Sequence, residues 1–204
     1  MKKIPTLFER ARTTTRLVYN EVTSGCEWVL AGEGVATRKW DGTACMMRDG
    51  CLYKRHDCKR VRDGKFKPPP PNWEPCQPEP DFETGHWPGW LPVGEGSEDK
   101  WHREAVQHSI DLEDGTYELC GPKVQGNPES LPTHSLIRHG QCALADVPRD
   151  FYLLRGYLWD MQIEGVVFYH PDGRMAKIKR RDFGFIWPIP KQSPPPSSPG
   201  AEGQ

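Results

Sequence analysis

The chain has 204 residues, a formal net charge of −1 and a mean hydropathy of −0.73. That length suits one domain with a real core, and eight Trp, seven Phe and six Tyr argue against global disorder. A net charge so close to zero excludes a simple polycation that holds nucleic acid by bulk charge, so any such contact has to come from local patches.

Arg16-Leu17-Val18-Tyr19 reads as a first strand, and Gly32, Glu33 and Gly34 mark a turn. The turn precedes Val35-Ala36-Thr37-Arg38-Lys39-Trp40-Asp41-Gly42-Thr43, the stretch around which the rest is organised. A strand-like run there delivers one lysine to a tight turn closed by Asp41-Gly42. A nucleophilic lysine must be neutral, so Lys39 is expected to titrate well below about 10.4, through desolvation and cations such as Arg38. Taken alone, a Lys-x-Asp-Gly tetrapeptide more often describes a surface lysine at a strand end.

Residues 43–47 and 51–55 form a hairpin across Asp49-Gly50. Its second arm runs into Lys54-Arg55-His56-Asp57-Cys58-Lys59-Arg60-Val61-Arg62. This basic segment reads either as a solvated edge strand or loop, or as a patch that meets phosphates. From 68 to 99 the composition changes to prolines, acids and Trp73, Trp87 and Trp90, with no helical or strand period. An irregular loop packed by its aromatics is expected there. A helix follows around Trp101 to His108, with Ser97 as candidate cap.

A second Asp-Gly turn, Asp114-Gly115, leads into Thr116-Tyr117-Glu118-Leu119-Cys120-Gly121 and then a Gly/Pro loop to Pro128. Phe151, Leu154, Tyr157, Leu158 and Met161 recur at helical spacing, which predicts a core-facing helix over 149–161. The last unit reads as a hairpin, 163–169 and 175–181, around Asp172-Gly173. With a two-residue turn Glu164 faces Arg181, Val166 faces Lys179 and Phe168 faces Lys177. Glu164, Lys177 and Lys179 then share one face, which suits a phosphate and a divalent cation. Residues 191–204, rich in Pro and Ser, are expected to be a disordered tail.

The seven cysteines contain no Cys-x-x-Cys pair and read as free thiols of a reducing compartment. His56 and Cys58 alone give no metal site. No apolar run follows Met1-Lys2-Lys3, so neither a signal peptide nor a membrane span is expected. A cytoplasmic monomer is the expectation.

Lys39-Trp40-Asp41-Gly42, Tyr117-Glu118-Leu119-Cys120-Gly121, Glu164-Gly165-Val166-Val167 and Lys177-Ile178-Lys179 occur in that order at suitable distances. They resemble motifs I, III, IV and V of the covalent nucleotidyltransferases, which comprise ATP-dependent RNA and DNA ligases and mRNA capping enzymes. Supporting stretches are Gly85-His86-Trp87-Pro88-Gly89-Trp90, Gly126-Asn127-Pro128, Leu136-Ile137-Arg138-His139-Gly140 and Trp187-Pro188-Ile189-Pro190. With these the chain looks most similar to the compact 5′-to-3′ RNA ligases of vertebrates and scattered microbes, over residues 5–190.

The resemblance implies an α+β fold: a nucleotidyltransferase (ligase adenylation) domain of antiparallel sheets flanked by helices over 1–190, with no C-terminal OB domain. It implies that Lys39 attacks the α-phosphate of ATP and carries AMP to an RNA 5′-phosphate, which a 3′-hydroxyl then attacks. Glu118 would bind the ribose. Glu164 would position Mg²⁺ or Mn²⁺, and Lys177 and Lys179 would hold the α-phosphate and assist catalysis. Arg55 would stand for motif Ia, and Arg38, Trp40, Asp41 and Gly42 would complete the nucleotide-binding set. Arg38 departs from the pattern, because RNA ligases often carry there an acid that contacts adenine. No aromatic that would stack on the base is evident near Leu136-Ile137. The alternatives are a DNA ligase or guanylyltransferase of the same superfamily, or a non-catalytic RNA-binding module on this scaffold.

Overall fold

The computed structural model describes residues 3–190, so the tail expected to be disordered lies outside the described residues. In chain order the elements are β1 (Phe8–Arg10), β2 (Val18–Val22), α1 (Glu27–Leu30), β3 (Val35–Lys39), β4 (Thr43–Arg48) and β5 (Cys51–Lys59). They continue with β6 (Glu74–Pro75), β7 (His86–Pro92), α2 (Lys100–Gln107), β8 (Gly115–Cys120), β9 (Ser135–Arg138), α3 (Phe151–Asp160), β10 (Gly165–Tyr169) and β11 (Met175–Lys179). β1 and β2 pair with each other. A three-stranded sheet has the order β11-β10-β3, and a six-stranded sheet the order β6-β7-β5-β4-β8-β9. All these strand pairs are antiparallel, so the antiparallel sheets of the α+β expectation are present, accompanied by few helices.

The alternation of side chains along each strand decides which face meets which core. In the three-stranded sheet Ala36, Val166, Phe168, Ala176 and Ile178 are buried together with Leu154 and Leu158 of α3. The intervening residues Thr37, Lys39, Val167, Lys177 and Lys179 therefore point the other way. A second core packs Cys45, Met47, Leu52, Tyr117 and Leu119 of the six-stranded sheet against Ala105 of α2. The helix expected over 149–161 forms as α3, with Asp150 accepting from the amides of Tyr152 (2.9 Å) and Leu153 (3.1 Å). Asp49 (φ 51°) and Gly50 (φ 72°) both lie in the left-handed region, as a two-residue type I′ turn between β4 and β5 requires.

The closing hairpin differs by one residue from its expected register. Its turn is Pro171-Asp172-Gly173, closed by His170 N donating to Arg174 O (2.9 Å), with Gly173 at φ 92°. Three loop residues instead of two place Gly165 opposite Lys179 and Val167 opposite Lys177. Lys177 and Lys179 stay on one face. Glu164 does not face Arg181 within the ladder; it sits in the bend before β10, where its carbonyl accepts from Arg180 N (2.9 Å).

Three further expectations change. The 68–99 segment is not strand-free, because β7 pairs with β5 along all seven of its residues. Pro88 and Gly89 spoil any strand pattern in sequence, yet Gly89 is what lets the Trp73 indole approach: a Cβ there would lie 2.1 Å from the ring. Trp73 and Trp87 meet edge to face at 4.9 Å, so packing by aromatics does hold. The basic segment is no edge strand either, since β5 lies between β4 and β7. α2 follows a 3-10 turn at Ser97–Asp99, which makes Asp99 rather than Ser97 its N-cap. The cysteines are free thiols as expected. Among the described residues no helix is long and apolar enough to cross a membrane.

Leu154 is fully buried between α3 and the three-stranded sheet. Leu154→Ala is expected to cost about 2–5 kcal/mol in urea unfolding, whereas the exposed Tyr152→Ala stays within about 0.5 kcal/mol.

Candidate active site

β3 ends at Lys39, and the chain turns through Trp40, Asp41 and Gly42 into β4. Gly42 is dictated by proximity: a Cβ would stand 2.1 Å from the carbonyl oxygen of Leu119. That approach lets Gly42 N donate to Glu118 Oε1 on β8 (3.0 Å). The Lys39 ammonium meets Glu164 Oε2 at 2.5 Å and Trp40 O at 3.2 Å, with only 8% of the Glu164 side chain exposed. Gly165 sits directly across the ladder from Lys39, so the sheet register sets this pair.

A cavity of about 220 Å³ opens between the two sheets, with Lys39, Arg55, Glu118, His139, Val167 and Lys177 in its wall. Lys177 is held in place by β10 on one side and on the other by residues 5–7, which exchange Leu7 N to Lys177 O (2.7 Å) and Lys177 N to Pro5 O (3.0 Å). Lys179 shares its face and donates its backbone N to Asp182 (2.8 Å), but it is not part of the cavity wall. A larger cleft of about 920 Å³ lies beyond Arg38, lined by Glu129, Gln162 and Trp187 among others. It contains none of Lys39, Glu118, Glu164 and Lys177, whereas Lys39, Glu118 and Lys177 line the smaller cavity.

The electrostatics correct one expectation. Burial works to lower the Lys39 pKa, but the carboxylates of Glu164, Glu118 and Asp41 outweigh it and hold the amine above its ordinary value. Arg38 does not depress it, because its guanidinium is spent elsewhere. It pairs with Glu129 Oε2 (2.5 Å) and stacks 3.9 Å over the Trp40 ring. The depressed lysine is Lys177, brought down to about 8 by burial and then by the Lys39 and Lys179 cations. Burial raises the Glu164 carboxyl against the opposing pull of Lys39. Burial also pushes the neighbouring Cys120 thiol far up, so it stays protonated.

Of the residues expected in the site, Lys39, Trp40, Arg38, Arg55, Glu118 and Lys177 border one cavity and Glu164 reaches it through Lys39. Asp41 buttresses the turn: its carboxylate accepts from Trp187 Nε1 (2.9 Å) and its amide donates to Glu129 Oε1 (2.9 Å). Arg38 is bound into the same buttress. Two residues went unassigned in the sequence. Glu129, with 1% of its side chain exposed, joins Arg38 to the Asp41 amide. His139 places Nε2 at 2.9 Å from Glu118 Oε2 and Nδ1 at 3.0 Å from Thr116 Oγ1. Both lie in or beside stretches singled out above, but nothing local marked their roles.

Among the described residues no three or more His, Cys, Asp or Glu side chains cluster as a ready-made metal site. The donor set still fits a hard cation of the kind that takes one carboxylate plus substrate phosphates, because Glu164 meets Lys39 through Oε2 alone.

Residues 109–194 match the family model described as RNA ligase 1, a segment that carries Glu118, His139, Glu164, Lys177 and Lys179. The chain is also similar to RNA ligase 1 of Mus musculus, at 30% identity over 76% of this chain and 68% of the relative. RNA ligase 1 of Rattus norvegicus is 30% identical over 76% and 69%, and that of Danio rerio 30% identical over 55% and 45%.

Lys177 is a cation below about pH 8 and neutral above it. Binding of sulfate, whose own charge is constant in this range, is expected to weaken as the pH rises through that value. Lys177→Arg should remove the fall, as read by isothermal titration calorimetry.

Proposed function

The chain belongs to the RNA ligase 1 family, and from that footing we propose that it is an ATP-dependent ligase joining RNA 5′-phosphate to 3′-hydroxyl ends through a lysyl-AMP at Lys39. The fold assigned with it is the nucleotidyltransferase adenylation fold. One observation carries this reading above all: Lys39, Glu118 and Lys177 converge on one cavity between the sheets, and Glu164 is paired to Lys39 at its edge.

In the proposed cycle Lys39 Nζ attacks the α-phosphorus of ATP. The N–P bond forms as the bond to pyrophosphate breaks. The amine must first shed its proton, and Glu164 Oε2, 2.5 Å away, is placed to receive it. An oxygen of the RNA 5′-phosphate then attacks the same phosphorus and Lys39 departs, leaving a 5′–5′ pyrophosphate. Finally the 3′-hydroxyl attacks the RNA phosphorus and AMP leaves. Each step is displacement at phosphorus, so positioning and charge neutralisation do most of the work.

Lys177, with Lys179 behind it, supplies positive charge to the α-phosphate. Glu118 offers its carboxylate to the ribose hydroxyls, steadied by Gly42 N–H and His139. Mg²⁺ or Mn²⁺ held at Glu164 would add neutralisation of the phosphates. A non-catalytic module is disfavoured because the lysine and both acids are intact. A DNA ligase or guanylyltransferase is disfavoured by the relatives.

Incubation with α-labelled ATP is expected to leave an acid-labile adduct on the wild-type chain and none on Lys39→Ala. Glu164→Ala should lose the adduct while its circular dichroism spectrum is kept. Competition among the four NTPs, then ligation of single-stranded RNA against nicked duplex DNA, tests the substrates. A folded wild-type chain that captures no AMP would end this reading.

A further inference from the structure

We propose that single-stranded RNA is held on a second surface, which runs from the nucleotide cavity along β5 to an exposed cationic loop built around Phe82. Its role presupposes the ligase activity proposed for that cavity. The cavity shares Lys3 and Arg55 with a neighbour of about 210 Å³ whose wall includes Asp57, His86 and Pro88, so the two form one trough. Arg55, Asp57 and Lys59 alternate along β5 on the trough side, while Cys58 is buried and Lys54 is tied to Asp99 on the other. At a strand rise of about 3.3 Å per residue, Arg55 and Lys59 stand about 13 Å apart. The trough holds two acids, Asp57 between them and Asp81 in the wall, and neither is a bare carboxylate: Asp81 accepts from the amides of Glu83 (3.0 Å) and Thr84 (2.9 Å). Asp57 is engaged by His86 Nδ1 and by the Trp87 amide (3.0 Å).

Beyond Lys59 the chain folds back on itself, with Lys67 N donating to Lys59 O (3.1 Å) and Val61 N to Lys65 O (2.7 Å). Residues 59–67 hold five cations, Lys59, Arg60, Arg62, Lys65 and Lys67, and one acid, Asp63, which accepts from the Lys65 amide. Among the described residues Lys59, Arg62, Lys65 and Lys67 make no ion pair, and Arg60 only donates to the carbonyl of Phe82 (3.2 Å). Phe82 is 61% exposed, yet its ring is fixed edge-on against Phe66 at 5.7 Å. In a chain whose net charge is −1, this is a local concentration of unpaired positive charge.

Unpaired cations beside a held, solvent-facing aromatic match what single-stranded nucleic acid offers, phosphates for the first and base faces for the second. An acidic protein would use the charges but leaves the aromatic and the trough without purpose. The continuity with the reactive cavity favours an RNA strand whose end lies at Lys39.

The test titrates the full chain with a short labelled single-stranded RNA bearing a 5′-phosphate, at several salt concentrations, with lysyl-AMP formation followed in parallel. Lys65→Ala/Lys67→Ala should weaken binding on the order of tenfold at low salt. It should also flatten the plot of log affinity against log salt by about 1.4, at about 0.7 per lost phosphate contact. Phe82→Ala should weaken binding on the order of tenfold with the salt slope unchanged. Lysyl-AMP formation should persist in both variants. Variants that bind RNA as the wild type does, with the same slope, would overturn the proposal, as would equal displacement by polyglutamate of matching charge. Binding that depends on these residues in a chain that forms no lysyl-AMP would support the surface and strike the ligase reading.

Discussion

The ion pair between Lys39 and Glu164 is the contact on which the site depends, and the sheet register makes it. Its partners stand 125 positions apart in sequence. Two charges taken out of water are costly unless they meet in good geometry. Here the geometry comes from the core: Ala36, Val166, Phe168, Ala176 and Ile178 are all buried on the opposite face. A slip of one residue would turn those apolar side chains to the cavity and the lysines into the core. The same burial that stabilises the sheet therefore holds the amine against its carboxylate. Fold and site are one constraint.

Around that pair the charges are graded. Glu118, Glu164 and Asp41 keep Lys39 protonated, while Lys177 is pushed toward neutrality by burial and by the cations beside it. A cluster with too little negative charge at one end favours an anion, and the triphosphate proposed as ligand would relieve Lys177 most directly. The raised amine is not at odds with the nucleophilic role proposed for it. Its charge is balanced by groups that a polyphosphate and its counter-ion would redistribute.

What was legible in the sequence was local. The Lys39 turn, the Asp49-Gly50 hairpin and α3 each follow from neighbours a few residues away. The closing hairpin lies one residue from the register its sequence suggests because Pro171-Asp172-Gly173 makes a three-residue loop that an Asp-Gly pair alone does not reveal. β7 leaves no strand pattern in the sequence because its strand character comes from pairing with β5, not from its own Pro88 and Gly89. The sign of the Lys39 shift is not legible in the sequence for a related reason. Arg38 is next to it in the chain but is paired to Glu129, 91 positions away, and the acids that govern Lys39 arrive from β8 and from the bend before β10.

That diversion of Arg38 has a structural consequence. Glu129 takes the guanidinium with one oxygen and the Asp41 amide with the other, and Trp187 closes on the Asp41 carboxylate. The turn that follows Lys39 is thus gripped from a loop 88 positions on and from the end of the described chain. A nucleophile must be held to within a fraction of an ångström of its line of attack, and a bare loop does not achieve that. By drawing Arg38 away from the amine, the buttress leaves the nearest balance of charge to Glu164. The buried carboxylate at 129 therefore fixes both the position of the turn and the charges Lys39 feels, and would serve the proposed reaction without facing the smaller cavity.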